Sequence, residues 1–258
     1  MSICSRTFVA EKLSLPDCDE SVTDRQERVP GFQQHKLAAA HVLIIGAGGL
    51  GSEIGEGLAR KGVGHAEIVD DDDAEVSNLN RQLLFRENLF QNKAIALAQN
   101  LSAHSFTGTR FTAHACTIQA AVATGVIAKP DVAVTAVDNN QTRVFAAHYF
   151  NTLQVPVVFV AVDLVAEHGY CAIQEPNKAC LACMIPSCVV PRKLPCRTPA
   201  VKDILKVVGG LALYAIDTLL MERKRNWNFR NVHLAGFAAS EALVIGRNPD
   251  CPLCKGIA

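Results

Sequence analysis

Short hydrophobic runs recur along the first two thirds of this chain, most of them closing on a glycine or an acidic residue and alternating with stretches of helical periodicity. The first run, residues 42–45, breaks off into Gly46-Ala47-Gly48-Gly49-Leu50-Gly51, and residues 52–61 then read as a helix stopped by Gly62 and Gly64. Residues 66–69 form a second run ending at Asp70, and residues 93–102 a second helix opening on Lys93. Residues 109–116 alternate as a strand, 118–127 read as a short helix, 131–137 as a buried strand ending in Asp138-Asn139, 141–153 as a helix and 157–162 as a further strand. Continuous apolar runs separated by helical segments are the pattern of parallel strands buried on both faces, so the predicted core is a doubly wound, mostly parallel α/β sheet of Rossmann-like type.

The pattern changes beyond Gly169. Residues 169–174 predict an added antiparallel strand, 201–221 a long helix and 231–235 a terminal strand, so the sheet is extended by antiparallel C-terminal strands. Residues 1–23 carry no periodicity and are expected to be an unassigned arm, leaving 24–258 as one domain; Thr23 is a candidate N-cap for a short helix that follows it. No repeat or low-complexity segment interrupts this order.

Charge narrows the function classes. Lys+Arg and Asp+Glu each number 25, for a formal net charge of zero. No global pull toward nucleic acid or a membrane surface follows, and Arg223-Lys224-Arg225 reads as a solvated helix end. The apolar stretches at 155–162 and 207–221 are interrupted by Pro156, Gly209, Gly210 and Asp217, and the N-terminus lacks a signal-peptide core. A cytoplasmic protein is expected. Ten cysteines in such a chain point to metal or thiol chemistry rather than a disulfide framework. Cys180 and Cys183 form one C-x-x-C pair, Cys251 and Cys254 another; two such claws make the four-thiolate signature of a structural zinc knuckle, with no ligand position left open.

The glycine turn at 46–51 fits a phosphate cradle: glycines let the backbone approach an anion, and the next helix presents unpaired N–H groups and its positive end. Close helix–sheet packing is the competing use. Asp70, at a strand end about twenty residues on, stands where an acidic residue takes ribose hydroxyls. Asn78, Arg81 and Lys93 are the residue types that clamp a polyphosphate, although each could equally be a surface residue. Asp138 lies at the rim of a central strand, placed to hold Mg²⁺ on a phosphate or else to cap the next helix.

Together Asp24-Arg25-Gln26, Gly46-x-Gly48-Gly49-x-Gly51, Asp70, Ser77-Asn78-Leu79-Asn80-Arg81-Gln82, Lys93, Asp138-Asn139 and the two cysteine pairs resemble the ThiF/MoeB/HesA family, bacterial relatives of ubiquitin-activating enzymes. The resemblance spans residues 24–254. It implies ATP-dependent adenylation of the C-terminal glycine of a small ubiquitin-fold or sulfur-carrier protein ending in Gly-Gly. It further implies a ribose contact at Asp70, phosphate contacts at Asn78, Arg81 and Lys93, and Mg²⁺ at Asp138 beside Asn139. Arg25 would reach into the other subunit's site of a homodimer. Cys196, in Pro195-Cys196-Arg197, resembles the thiol that receives the activated group in some members, with Cys188 as the competing candidate. Only twelve residues separate Cys183 from Cys196, which leaves no room for an inserted catalytic-cysteine domain, and no ubiquitin-fold or rhodanese domain follows Cys254. A minimal adenylating enzyme is therefore expected. Protein conjugation or peptide modification by the same chemistry is the nearest alternative. A nicotinamide-dependent oxidoreductase is more distant, because it leaves Arg25, Arg81, Lys93 and Asp138 without a common purpose.

Overall fold

The computed structural model describes residues 7–9, 21–190, 199–236 and 238–255. Its core is a nine-stranded sheet in the order β1-β4-β3-β2-β5-β6-β7-β8-β9. The strands are β1 (Thr7–Val9), β2 (His41–Ile45), β3 (His65–Val69), β4 (Arg110–His114), β5 (Val132–Thr135), β6 (Val157–Val162), β7 (His168–Gln174), β8 (Phe229–His233) and β9 (Ala242–Leu243). The block β4-β3-β2-β5-β6 is parallel throughout. From β6 onward every pairing is antiparallel. This is the predicted doubly wound sheet with antiparallel C-terminal strands.

Helices cover both faces because the central strands bury both. Val42 and Ile44 pack with α3 (Gly49–Lys61), α4 (Lys93–His104) and α8 (Lys202–Leu220), whereas Leu43 and Ile45 face α5 (Ile118–Ala123), α6 (Asn140–Thr152) and α7 (Leu181–Met184). All four strand residues are at most 2% exposed. At about 1.5–3 kcal/mol per fully buried large apolar side chain, burial of this central ribbon stabilises the sheet substantially. Among the described residues no helix is long and apolar enough to cross a membrane.

Several boundaries differ from the sequence reading for local reasons. Helix α3 begins at Gly49, inside the glycine run, because Gly48 takes the extended N-cap conformation and Gly51 in the first turn carries no Cβ to strike the Gly46 carbonyl. Part of the N-terminal arm is structured: β1 adds an antiparallel edge strand to β4, too short to announce itself by period. The terminal strand begins two residues early, at Phe229, and is followed by β9, a strand of two residues, too short for alternation to register. The polar segment 76–82, which has neither helical nor strand periodicity, contains a 3-10 turn, Val76–Asn78. Thr23 does precede the short helix α1 (Asp24–Glu27), but its hydroxyl goes to the Glu27 side chain and caps no backbone N–H.

Candidate active site

The connections on either side of β2 reverse direction: β3 lies on one flank and β5 on the other. In open α/β sheets the crevice at that switch point, beyond the carboxyl ends of the strands, is where ligands bind. Three candidate segments emerge there in register. Ile45 pairs with Val69 and with Thr135, so the glycine turn, Asp70 and the Asp138 turn leave the sheet side by side. The ladders even run one residue further, with Gly46 N–H donating to the Val69 carbonyl and Ala136 N–H to that of Ile45.

The turn itself is shaped by what its glycines lack. Gly46 holds a φ of +98°, a conformation L-side chains avoid. A Cβ on Gly51 would stand 2.0 Å from the Gly46 carbonyl oxygen, so the first turn of α3 packs directly on the loop. Gly48 differs: a Cβ there meets nothing within 4 Å. Its open side and the unpaired first amides of α3 could receive an anion.

Asp70 is tied into this turn. One carboxylate oxygen accepts from Ala47 N–H at 2.6 Å, the other from Asp72 N–H at 2.8 Å. Burial nevertheless pushes the carboxyl up to about 6, the two amide donors and Lys93 pulling the other way. Asp72 in turn pairs with Lys93, Oδ2 to Nζ 2.8 Å. Lys93 opens α4, whose N-cap Asn92 accepts from Ile95 N–H and donates Nδ2 to the carbonyls of Asp70 and Asp72. Glycine loop, Asp70, Asp72 and Lys93 are thus one hydrogen-bonded chain. Asp71 and Asp73 make no such link to Lys93; Asp71 is exposed and Asp73 forms a β-bridge to Asn92.

Asn78 and Arg81 lie in the neighbouring loop. Asn78 is buried, its Oδ1 accepting from Glu75 N–H at 2.9 Å, so it is committed in part to holding its own turn. The Arg81 guanidinium folds onto the Ser77 carbonyl at 2.6 Å and Asn80 Oδ1 at 3.1 Å. The loop is fastened from both sides: Leu83 N–H donates to Ser52 Oγ of α3 at 2.9 Å, and Lys202 of α8 donates to the Arg81 carbonyl at 3.3 Å while pairing with Glu53. Asp138 is exposed, and the helix cap it might have supplied comes from Asn139, whose Oδ1 accepts from Thr142 N–H at 2.8 Å.

Other predicted residues lie away from this crevice. Arg25 is exposed on α1, whose next residue, Gln26, donates to the Lys61 carbonyl at 2.8 Å. Lys61 ends the 13-residue helix α3, so this anchor next to Arg25 lies at the end of α3 opposite the glycine turn, about 20 Å along the helix. The four knuckle cysteines converge beside α7: sulfur separations are 3.7 Å for Cys180–Cys183, 3.5 Å for Cys180–Cys251 and 3.6 Å for Cys183–Cys254, across 71 residues of sequence. A tetrahedral zinc with Zn–S bonds of about 2.3 Å sets its sulfurs about 3.8 Å apart, so this cluster could hold that metal. Cys196 lies outside the described residues. Its competitor Cys188 is buried, and burial pushes its thiol up to about 11, with Arg143 offsetting a part. The basic trio is not simply solvated: Arg225 pairs with Glu175 and donates to the Trp227 carbonyl.

Sequence reasoning passed over Asp72, Ser52, Lys202 and Arg143. Asp72 was visible only as one of four successive aspartates; the others carry no signal before the fold brings α3, α6 and α8 to the rim.

Residues 23–253 match the model of the ThiF family. A "Sulfur carrier protein adenylyltransferase" of Thermus thermophilus is 31% identical over 229 residues, 86% of this chain and 84% of that protein. The Zea mays "Adenylyltransferase and sulfurtransferase MOCS3-2" is 28% identical over 227 residues; this chain spans only 46% of its length. Among solved structures, E. coli MccB with ATP superposes with a TM-score of 0.72 at 19% identity, covering 86% of this chain and 68% of that one, a likeness of fold.

Proposed function

Because the chain belongs to the ThiF family and is an ATP-dependent adenylyltransferase, we propose that it activates the C-terminal glycine carboxylate of a small ubiquitin-fold or sulfur-carrier protein ending in Gly-Gly. The observation that carries this reading is the convergence at one sheet rim of an open glycine cradle, a strand-end carboxylate hydrogen-bonded into it and an adjoining lysine.

The chemistry follows from the groups present. A carboxylate oxygen of the partner attacks the α-phosphorus of ATP; the bond to the bridging oxygen breaks, and pyrophosphate leaves. Two anions must be brought together, so charge neutralisation and alignment matter most. No general base is required, because the attacking carboxylate is already ionised near neutral pH. The amides of Gly48–Gly51 and the start of α3 receive phosphate oxygens. Asp70 accepts from the ribose hydroxyls, which suits a carboxylate whose other bonds already fix its plane. Lys93 exchanges Asp72 for a phosphate, and Arg81 swings from the Ser77 carbonyl to do the same, with Asn78 donating its amide. Asp138, with Asn139 beside it, offers the hard oxygen donor that Mg²⁺ takes alongside substrate phosphates, which would neutralise their charge. The exposure of that carboxylate supports the role, since its helix cap is supplied by a neighbour.

Arg25 is proposed to act across a homodimer, because its anchor at the far end of α3 keeps it from its own nucleotide loop. The four-cysteine cluster is proposed as a structural zinc site, and a cytoplasmic location keeps its thiols reduced. Cys196 is proposed as the acceptor of the activated acyl group: its thiolate would attack the acyl carbon and AMP would leave, giving a thioester. The raised thiol and burial of Cys188 favour Cys196. The test is ATP–pyrophosphate exchange with candidate ubiquitin-fold proteins. Partner-dependent exchange, abolished by removing the terminal Gly-Gly, is expected; exchange that no such protein stimulates would overturn the reading.

A further inference from the structure

The turn that carries Asp138 is held by a residue with no role so far. Arg143, one helical turn into α6, is only 7% exposed. Its guanidinium reaches back against the chain direction: Nη2 donates to the Val137 carbonyl and Nη1 to Asn140 Oδ1 at 2.9 Å. Its Nε is buried with no acceptor, and no carboxylate pairs with Arg143 among the described residues. Tyr170 on β7 and Cys188 stand near enough to feel its charge.

A buried guanidinium without a counter-ion is costly, and packing alone would be met by an apolar side chain of the same length. What Arg143 does that such a side chain cannot is hold the backbone before Asp138 and a side chain after it at once. The Val137 carbonyl before it is held by Nη2; the Asn140 side chain after it is held by Nη1; Asn139 between them caps α6. Asp138 is the residue of this turn left exposed to solvent together with Asn139.

We infer that Arg143 is a positioning residue for Asp138: its planar fork clamps the exit turn of β5 so that the Asp138 carboxylate is presented to the metal–nucleotide in a fixed direction. This rests on the proposed role of Asp138 at the nucleotide. A fork gives two bonds from one rigid group, which a lysine at the same position cannot reproduce.

The test is a binding measurement that does not depend on turnover. Mn²⁺ is titrated by electron paramagnetic resonance into the enzyme saturated with an ATP analogue whose α–β bridge is methylene. Arg143→Met is expected to weaken Mn²⁺ at least tenfold while far-UV circular dichroism is unchanged, and Asp138→Asn to weaken it at least as much. Wild-type affinity in folded Arg143→Met beside weakened Asp138→Asn overturns this inference and leaves the function standing. Wild-type affinity in both overturns the metal role of Asp138 and this inference with it. Should Arg143→Met fail to fold, Arg143→Lys decides: Mn²⁺ binding weakened about threefold or more upholds the clamp, and wild-type binding overturns it.

Discussion

Gly48→Ala and Gly51→Ala form a pair that separates the two uses of a glycine turn. At Gly51 an added methyl would lie 2.0 Å from the Gly46 carbonyl oxygen, whereas real Cβ atoms essentially never approach within 3.0 Å. The loop and the first turn of α3 must therefore part by at least the difference, 3.0 − 2.0 = 1.0 Å, with backbone rather than a flexible side chain giving way. Overpacking of this kind costs about 1–3 kcal/mol, or a melting temperature lower by about 2–12 °C in a chain of this size. At Gly48 nothing lies within 4 Å and φ is −76°, which alanine adopts freely. Stability should then hold within about 0.5 kcal/mol, or rise slightly through the stiffer unfolded chain. The cradle account adds that the open space beside Gly48 is where phosphate sits, so a methyl there should weaken ATP at least about tenfold, some 1.4 kcal/mol. Thermal unfolding followed by circular dichroism and calorimetric titration of ATP read the two effects separately. Gly48→Ala binding ATP like the wild type would refute the cradle; Gly51→Ala melting like the wild type would refute the packing argument.

Other perturbations reach the rest of the molecule. His65 is held down to about 4 by burial first, then by His41 and Arg110, with Glu67 opposing and His114 adding to the fall. Between that value and the ordinary 6.5 the unfolded chain binds a proton the folded protein refuses, so stability falls as pH drops through this window and is recovered above it. Urea unfolding at pH 7 and pH 5 should show a smaller drop in His65→Gln; an identical drop contradicts the assignment. Removing metal with a chelator should lower the melting temperature by at least about 5 °C, since a bound metal joins the C-terminal segment to α7. Metal analysis giving much less than one zinc per chain, or no thermal effect, counts against the cluster. Phe90 is 81% exposed at a φ of +66°. Phe90→Gly should therefore hold or raise stability by up to about 1 kcal/mol, where a loss of that size would reveal contacts the ring does make.

The parallel core was legible because strands buried on both faces are mostly apolar, as residues 42–45 and 157–162 are throughout. The C-terminal rim of those strands was legible for the same reason, since Asp70 and Asp138 mark where each apolar run must stop. What sequence could not reveal were relations made only by folding. Arg143 lies on a helix with no motif of its own, and the Val137 carbonyl it holds is named by no side chain. The Asp72–Lys93 pair joins a strand end to a helix start through one member of an ambiguous acidic run. Strand β1 has three residues, too few for alternation to register, and exists because β4 offers it an edge. In the other direction, Thr23 and Asp138 were reasonable caps by residue type, but a cap is decided by backbone placement: Thr23 turns to Glu27, and Asn139 takes the position beside Asp138.

The central claim concerns which bond in ATP is broken and what receives the fragment. Incubation with a ubiquitin-fold partner and ATP labelled at either the α- or the γ-phosphate, followed by mass and label analysis of the acid-quenched partner, reads this directly. Adenylation predicts α-label on the partner's C-terminal glycine as an acyl-AMP, or in AMP once Cys196 has taken the acyl group, and γ-label in pyrophosphate. Label from the γ-phosphate on the partner, or α-label left in ADP, would contradict the account.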